Sequence, residues 1–119
     1  MQDYKKLVVW QKAHVLSLVI YKITESFPKH ELYGLVSQIR RVVVSIATNI
    51  AEGTGRNSNP DFSRFLQIAY GSSSEVEYLV LLSAELNYIQ FDIADKMNLD
   101  IQEIKKMLAS LQKKLRTDY

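Results

Sequence analysis

Val9, Ala13, Leu16, Ile20, Ile23 and Phe27 recur at alternating intervals of four and three. That spacing keeps side chains on one face of an α-helix, so it predicts a helix over about 7–27. Pro28 ends it, because proline has no N–H to donate and clashes with the preceding turn. Leu32, Val36, Ile39, Val43, Ile46 and Ile50 repeat the rhythm and predict a second helix over about 31–52. Gly53 then stands where a left-handed residue would close that helix.

A polar connector over 54–59 leads to Asn59, the expected cap of a third helix with Pro60 at its first position. Phe62, Phe65, Ala69, Ser72, Val76, Leu79, Ser83 and Leu86 carry this helix over about 60–87. The small-residue run Gly71–Ser74 lies inside it, where it either admits a close neighbour or divides the helix in two. After a short turn at 87–91, Asp92 is the expected cap of a fourth helix over about 92–116. Its stripe is Ile93, Met97, Ile101, Ile104, Leu108, Leu111 and Leu115. Asp95 suits the positive start, and Lys113, Lys114 and Arg116 suit the negative end.

Four helices joined by short connectors make neighbours antiparallel. The expected fold class is therefore all-α: an antiparallel up-down-up-down four-helix bundle, one domain spanning 1–119. A bundle that stands alone needs one apolar stripe per helix. Here three helices carry a second one. Opposite the core on the first lie Trp10, His14, Leu18 and Tyr21; on the second, Val44, Ala47 and Ala51 flank Arg40; on the third are Tyr78, Leu81 and Leu82. These faces predict burial against a further surface, in a homo-oligomer. Flanking the core of the second helix is a polar stripe of Gln38, Ser45, Asn49 and Glu52 beside Arg41. It is the expected seat of a buried hydrogen-bond network reaching Ser74 and Glu75, with Glu52 or Glu75 pairing with Arg41 or Arg64.

Composition narrows the functional classes. With 119 residues, 47% hydrophobic and 24% charged, the chain is long enough to bury a core without staples. No cysteine is present, which excludes disulfides and thiolate metal sites and fits a reducing compartment. No apolar run approaches a membrane span and no secretory signal is visible, so the expected location is cytoplasmic. Net charge is only +2, but it is unevenly spread. Residues 1–30 carry five Lys against Asp3 and Glu25, and five more bases crowd into 105–116. A modest basic patch would form wherever the N-terminal segment meets another basic element.

The common catalytic patterns are missing. Neither His14 nor His30 has a Glu three residues before it, as a di-iron bundle requires. Two His and no Cys disfavour structural zinc. The run Gly53-Thr-Gly55-Arg56 follows a helix rather than a strand and lacks the Lys of a phosphate loop, and Ser72–Ser74 have no nucleophile-elbow context. No enzyme, cofactor or metal is expected.

Three runs in order carry a resemblance: ELYGLVSQIRR at 31–41, SIATNIAEG at 45–53, and GRNS at 55–58 leading into FLQIAYGSSSE at 65–75. Over roughly residues 5–112 the chain resembles the bacterial four-helix bundle proteins encoded in intervening sequences of 23S rRNA genes. It departs mildly at Asp61, where Glu is usual, Val76, where Leu is usual, and Asn87, where Gly is common. The resemblance implies an up-down bundle and a ring-like homopentamer. Similar proteins include the accessory proteins of diversity-generating retroelements, which bind nucleic acid and a reverse transcriptase. Two functions follow as expectations. One is an oligomer that binds structured RNA or DNA through Lys5, Lys6, Lys12, Arg40, Arg41 and Arg56; the other is a scaffold whose outer faces hold a protein partner. Clustered bases would favour the first, and even spread the second.

Overall fold

Ser58 rather than Asn59 caps the third helix: its extended backbone turns the side-chain oxygen onto the N–H of Asp61 at 3.3 Å, with Pro60 in the first turn. The computed structural model describes residues 3–117, so the expected span of 1–119 passes beyond the described residues at both ends. The main helices are α1 (Val8–Thr24), α2 (Ser37–Thr54), α3 (Asn59–Glu85) and α4 (Phe91–Thr117). A 3-10 turn at Tyr4–Lys6 precedes α1. No strand occurs among the described residues.

Cross-helix contacts run in opposite sequence order. Ser17 reaches the carbonyl of Val43 and Arg40 reaches Thr24; Gln38 meets Glu75 and Ser45 meets Ser72; Lys105 meets Glu77 and Gln112 meets Gln67. Rising numbers on one helix meet falling numbers on the next, so each consecutive pair is antiparallel. Lys12 and Glu103 close the circuit between α1 and α4. The result is the expected bundle, 47 × 24 × 20 Å.

The core holds most of the expected stripes, with Ala13, Ile39, Val43, Ile46, Ile50, Ala69, Val76, Ile101, Ile104 and Leu108 fully out of solvent. Other expected core positions are less covered: Ile23 and Leu111 are half-buried against the core. Leu32, Leu86 and Ile93 are exposed, each lying at or beyond a helix end, and Ser72 is half-buried while Ser73 is fully buried. The inward face of α3 is broader than the 4-3 stripe, and takes in Leu66, Ser73, Val80 and Ala84.

Helix ends differ from expectation for local reasons. α1 stops at Thr24, and Arg40 occupies its C-terminus: Nε donates to Thr24 Oγ1 at 2.9 Å and a terminal nitrogen to the carbonyl of Tyr21 at 3.2 Å. Between α1 and α2 the chain makes a 3-10 turn (Lys29–Glu31) and a π-helical turn (Leu32–Val36) kinked at Gly34, whose φ and ψ (−111°, −108°) leave the helical region. Leu32 is exposed because the stripe is interrupted there. Glu31 holds the turn in place, accepting the N–H of Leu35 at 3.3 Å and the hydroxyl of Tyr88 at 3.0 Å. Its carboxylate raises the pKa of the Tyr88 phenol.

Gly53 is not a left-handed helix end. It lies buried within α2, which runs on to Thr54, and no glycine has positive φ among the described residues. A Cβ there would stand 2.7 Å from the Phe62 ring and 3.1 Å from Phe65 Cβ. The missing side chain sets how closely α2 and α3 approach. Gly71 has open space instead, so the approach anticipated around 71–74 is made by Ser72 against Ser45, and α3 continues unbroken. The left-handed residue is Asn87, at φ 65°. Tyr88 N–H bonds the carbonyl of Ser83 and Asn87 N–H that of Ala84, the double-bonded close of a helix that Gly or Asn supports. α4 then begins at Phe91, which places Asp92 inside its first turn rather than at the cap.

Candidate nucleic-acid interface

Antiparallel packing brings the start of α1, the end of α2, the start of α3 and the end of α4 to one end of the bundle. Lys5 and Lys6 lie there on the 3-10 turn. Asp3 caps this turn by accepting the N–H of Lys5 at 3.0 Å, and Gln11 ties it to α1 by donating to the carbonyl of Lys5 at 2.8 Å. Arg56 stands in the loop between α2 and α3. Beneath that loop Leu115 is buried, which anchors the last turn of α4 and its exposed Lys113, Lys114 and Arg116 beside it. Bases from three separate stretches of chain therefore converge.

Within this end, Arg64 Nε donates to Asp61 Oδ1 at 3.0 Å, and Arg56 Nε lies 3.8 Å from Asp61 Oδ2. Both guanidiniums rest on Phe65, at 4.4 Å for Arg56 and 4.5 Å for Arg64. Lys5, Lys6, Lys113 and Arg116 have no ion-pair partner among the described residues.

The other three sequence candidates lie elsewhere. Lys12 sits on the side of the bundle in an ion pair with Glu103 at 2.9 Å. Arg40 serves the end of α1, as described, and stacks on Tyr21 at 4.7 Å. Arg41 is exposed at the far end, on a groove with Tyr21, Leu32 and Tyr33. The sequence reading missed Arg64, Lys113 and Arg116. The signal was available, since alternating helix directions place their segments beside Lys5 and Lys6.

The polar stripe of α2 reaches α3, including Glu75 as expected, but through separate part-exposed bonds rather than a buried network. Gln38 donates to Glu75 at 3.3 Å, the hydroxyls of Ser45 and Ser72 meet at 2.6 Å, and Asn49 donates to the carbonyl of Ser45 at 2.7 Å. Gln38, Glu52 and Glu75 are exposed. Arg64 turns to Asp61 instead, so neither Glu52 nor Glu75 pairs with Arg41 or Arg64. On the next seam the hydrogen bond from Lys105 holds the Glu77 carboxyl below its usual pKa.

Three apolar faces flank the bundle. Trp10, His14, Leu18, Tyr21 and Val44 line a groove along α1 and α2; the Trp10 and His14 rings stack at 5.0 Å and 8°, with Tyr4 edge-on to Trp10. Tyr78 and Leu81 join Phe91 along α3 and α4 in a cleft of about 440 Å³. Leu82 does not share that face; it packs half-buried against the core. The third face, missed in the sequence, is Val8, Val15 and Val19 beside α4, spaced seven and four apart and hence in register on one side of α1.

Among the described residues no cluster of three or more His, Cys, Asp or Glu is placed to hold a metal, and no helix is long and apolar enough to cross a membrane. No curated protein matches this chain. A crystal structure of a protein of unknown function from the S23 ribosomal protein family, from Bacteroides thetaiotaomicron VPI-5482, superposes with a TM-score of 0.82. It is 30% identical, over 89% of this chain and 96% of that one. The family of 23S rRNA-intervening sequence proteins matches residues 5–110, spanning α1 to α3 and most of α4, and the chain belongs to that family.

Proposed function

We propose that this protein is a non-enzymatic, cytoplasmic homo-oligomer that binds structured RNA, or another nucleic acid, through the basic end of its bundle. The observation that carries the reading is the convergence of Lys5, Lys6, Arg56, Lys113 and Arg116 at that end. Cations gathered on one surface release condensed counterions when they meet phosphates, and that release drives binding without sequence preference. Exposed aromatic and aliphatic residues on three flanks support self-association. In a closed ring, such as the pentamer implied by the resemblance, the basic end recurs about the axis and weak contacts add through avidity.

A second reading is a scaffold that grips a protein partner and leaves RNA alone. Lys12 and Arg40 favour it, since Lys12 pairs with Glu103 and Arg40 commits its donors to the end of α1. Titration with a structured rRNA fragment at several salt concentrations separates the two. The RNA reading expects a steep salt slope that flattens in Lys5→Glu and Lys6→Glu. Absence of binding at low salt would sink it and leave the scaffold.

A further inference from the structure

We infer that Arg56 and Arg64 form a paired clamp for an RNA backbone phosphate, with Asp61 as the internal anion that the phosphate must outcompete; this rests on the RNA reading above and assigns its tightest contact. The loop after α2 and the first turns of α3 bring the two guanidiniums to one aromatic ring, Phe65, at 4.4 and 4.5 Å. Phe65 is itself buried at 6% exposure, so the platform is fixed. Stacking holds both forks in place before any ligand arrives, which lowers the ordering cost of each bond they then make.

Their bonding capacity is almost unspent. A guanidinium offers five donors. Arg64 uses Nε on Asp61, whereas Arg56 approaches Asp61 only at ion-pair distance, 3.8 Å, and makes no hydrogen bond. Two cations share one carboxylate, so a unit of positive charge stays uncompensated. Both side chains remain open to water, at 45% for Arg56 and 59% for Arg64. The adjoining cleft is polar, lined by Thr54, Asn57, Ser58 and Asn59. A phosphodiester fits this chemistry: it is anionic, it takes forked donors, and its neighbours Lys5, Lys6, Lys113 and Arg116 extend the same field along a strand.

The test measures RNA affinity of the full-length protein across salt for Arg56→Gln, Arg64→Gln, Arg56→Lys, Asp61→Asn and the pair Lys5→Gln/Lys6→Gln, with thermal melts beside each. Each Arg→Gln change is expected to weaken binding about tenfold and lower the salt slope by roughly 0.7–0.9 per lost phosphate contact, the smaller figure on a single strand. Arg56→Lys should restore the slope but only part of the affinity, because a point charge replaces a fork. Asp61→Asn should tighten binding about fivefold, the effect of removing one charge at about 4 Å in water. Such a gain cannot arise from misfolding. Weaker binding in Asp61→Asn would overturn the clamp, as would wild-type affinity in both Arg→Gln variants. If the lysine pair alone loses binding, the clamp falls and the RNA reading stands; if the wild type binds no RNA, both fall. Free inorganic phosphate shifting the Arg Nε resonances as fully as RNA does would also overturn the assignment to an RNA strand.

Discussion

The α2–α3 seam and the α1–α4 seam draw on similar aliphatic residues and reach opposite densities. In the first, Gly53 lets the Phe62 ring into the space a side chain would take, and Ile39, Val43, Ile46 and Ile50 meet Leu66, Ala69 and Val76 with no solvent between. In the second, Val9, Ala13 and Leu16 share the common core with Ile101 and Ile104, but Val8 and Val15 stay about half exposed at 51% and 56%, and an ion pair lies across the surface. Small residues at the crossing make the difference. α2 and α3 have Gly53, Ala69 and Ser73 where they meet, so their backbones close up. α4 instead offers Asp100 and Glu103 to a face of α1 that carries Val8, Lys12, Val15 and Val19. A seam is tight where the backbones can approach, whatever the apolar content of its walls.

The contrast can be broken most sharply at Ile46. Ile46→Ala should cost about 2–5 kcal/mol by denaturant unfolding, through lost burial and a residual cavity. Val15→Ala should change stability by less than about 0.5 kcal/mol. Equal costs would mean that the valine face is covered by another chain in solution. Gly53→Ala comes next, at about 1–3 kcal/mol, because the new methyl must push the Phe62 ring or spread the helices. A neutral result would show that the α2–α3 spacing is soft.

Glu77 and Lys105 sharpen the comparison on the α3–α4 seam, joined at 2.9 Å with the lysine largely covered. The folded pKa of Glu77 lies below its unfolded value, so the ionised carboxylate favours the fold above the unfolded pKa. That contribution fades as pH falls through the folded pKa. Glu77→Gln should therefore lower the unfolding free energy measured in urea at pH 7, by less than about 1 kcal/mol for so exposed a group, and match the wild type in strong acid. A difference that persists in acid would have another origin. The smallest effect belongs to Lys12→Ala, under about 0.5 kcal/mol and shrinking further in salt. A larger loss would show that Lys12 and Glu103 hold the loose seam shut.

Much of this architecture was legible because helix packing writes itself as a 3-4 rhythm, and that rhythm survives in all four helices. What escaped depends on neighbours distant in sequence. Glycine ends helices by local preference, yet Gly53 lies inside the last turn of α2, where Phe62 takes the space a side chain would fill. The left-handed position went to Asn87, a residue that tolerates it less readily than glycine. Reading α3 as a single stripe chose Ser72 over Ser73, since α3 packs closely on both α2 and α4 and so buries a wider arc than one 4-3 stripe. The basic end was half legible. Lys5, Lys6 and Arg56 were found by type, but charge alone does not reveal that Lys12 and Arg40 are consumed by Glu103 and Thr24.

Chain connectivity carries a kinetic consequence. Three of the four seams join helices that follow one another directly, and only α1 with α4 closes over the length of the chain. Local contacts form first because little loop entropy opposes them. The α2–α3 hairpin should be the early nucleus, so Ile46→Ala should slow folding, while Lys12→Ala should act almost wholly on the unfolding rate. The loosest seam would then be the last to close on folding and the first to part.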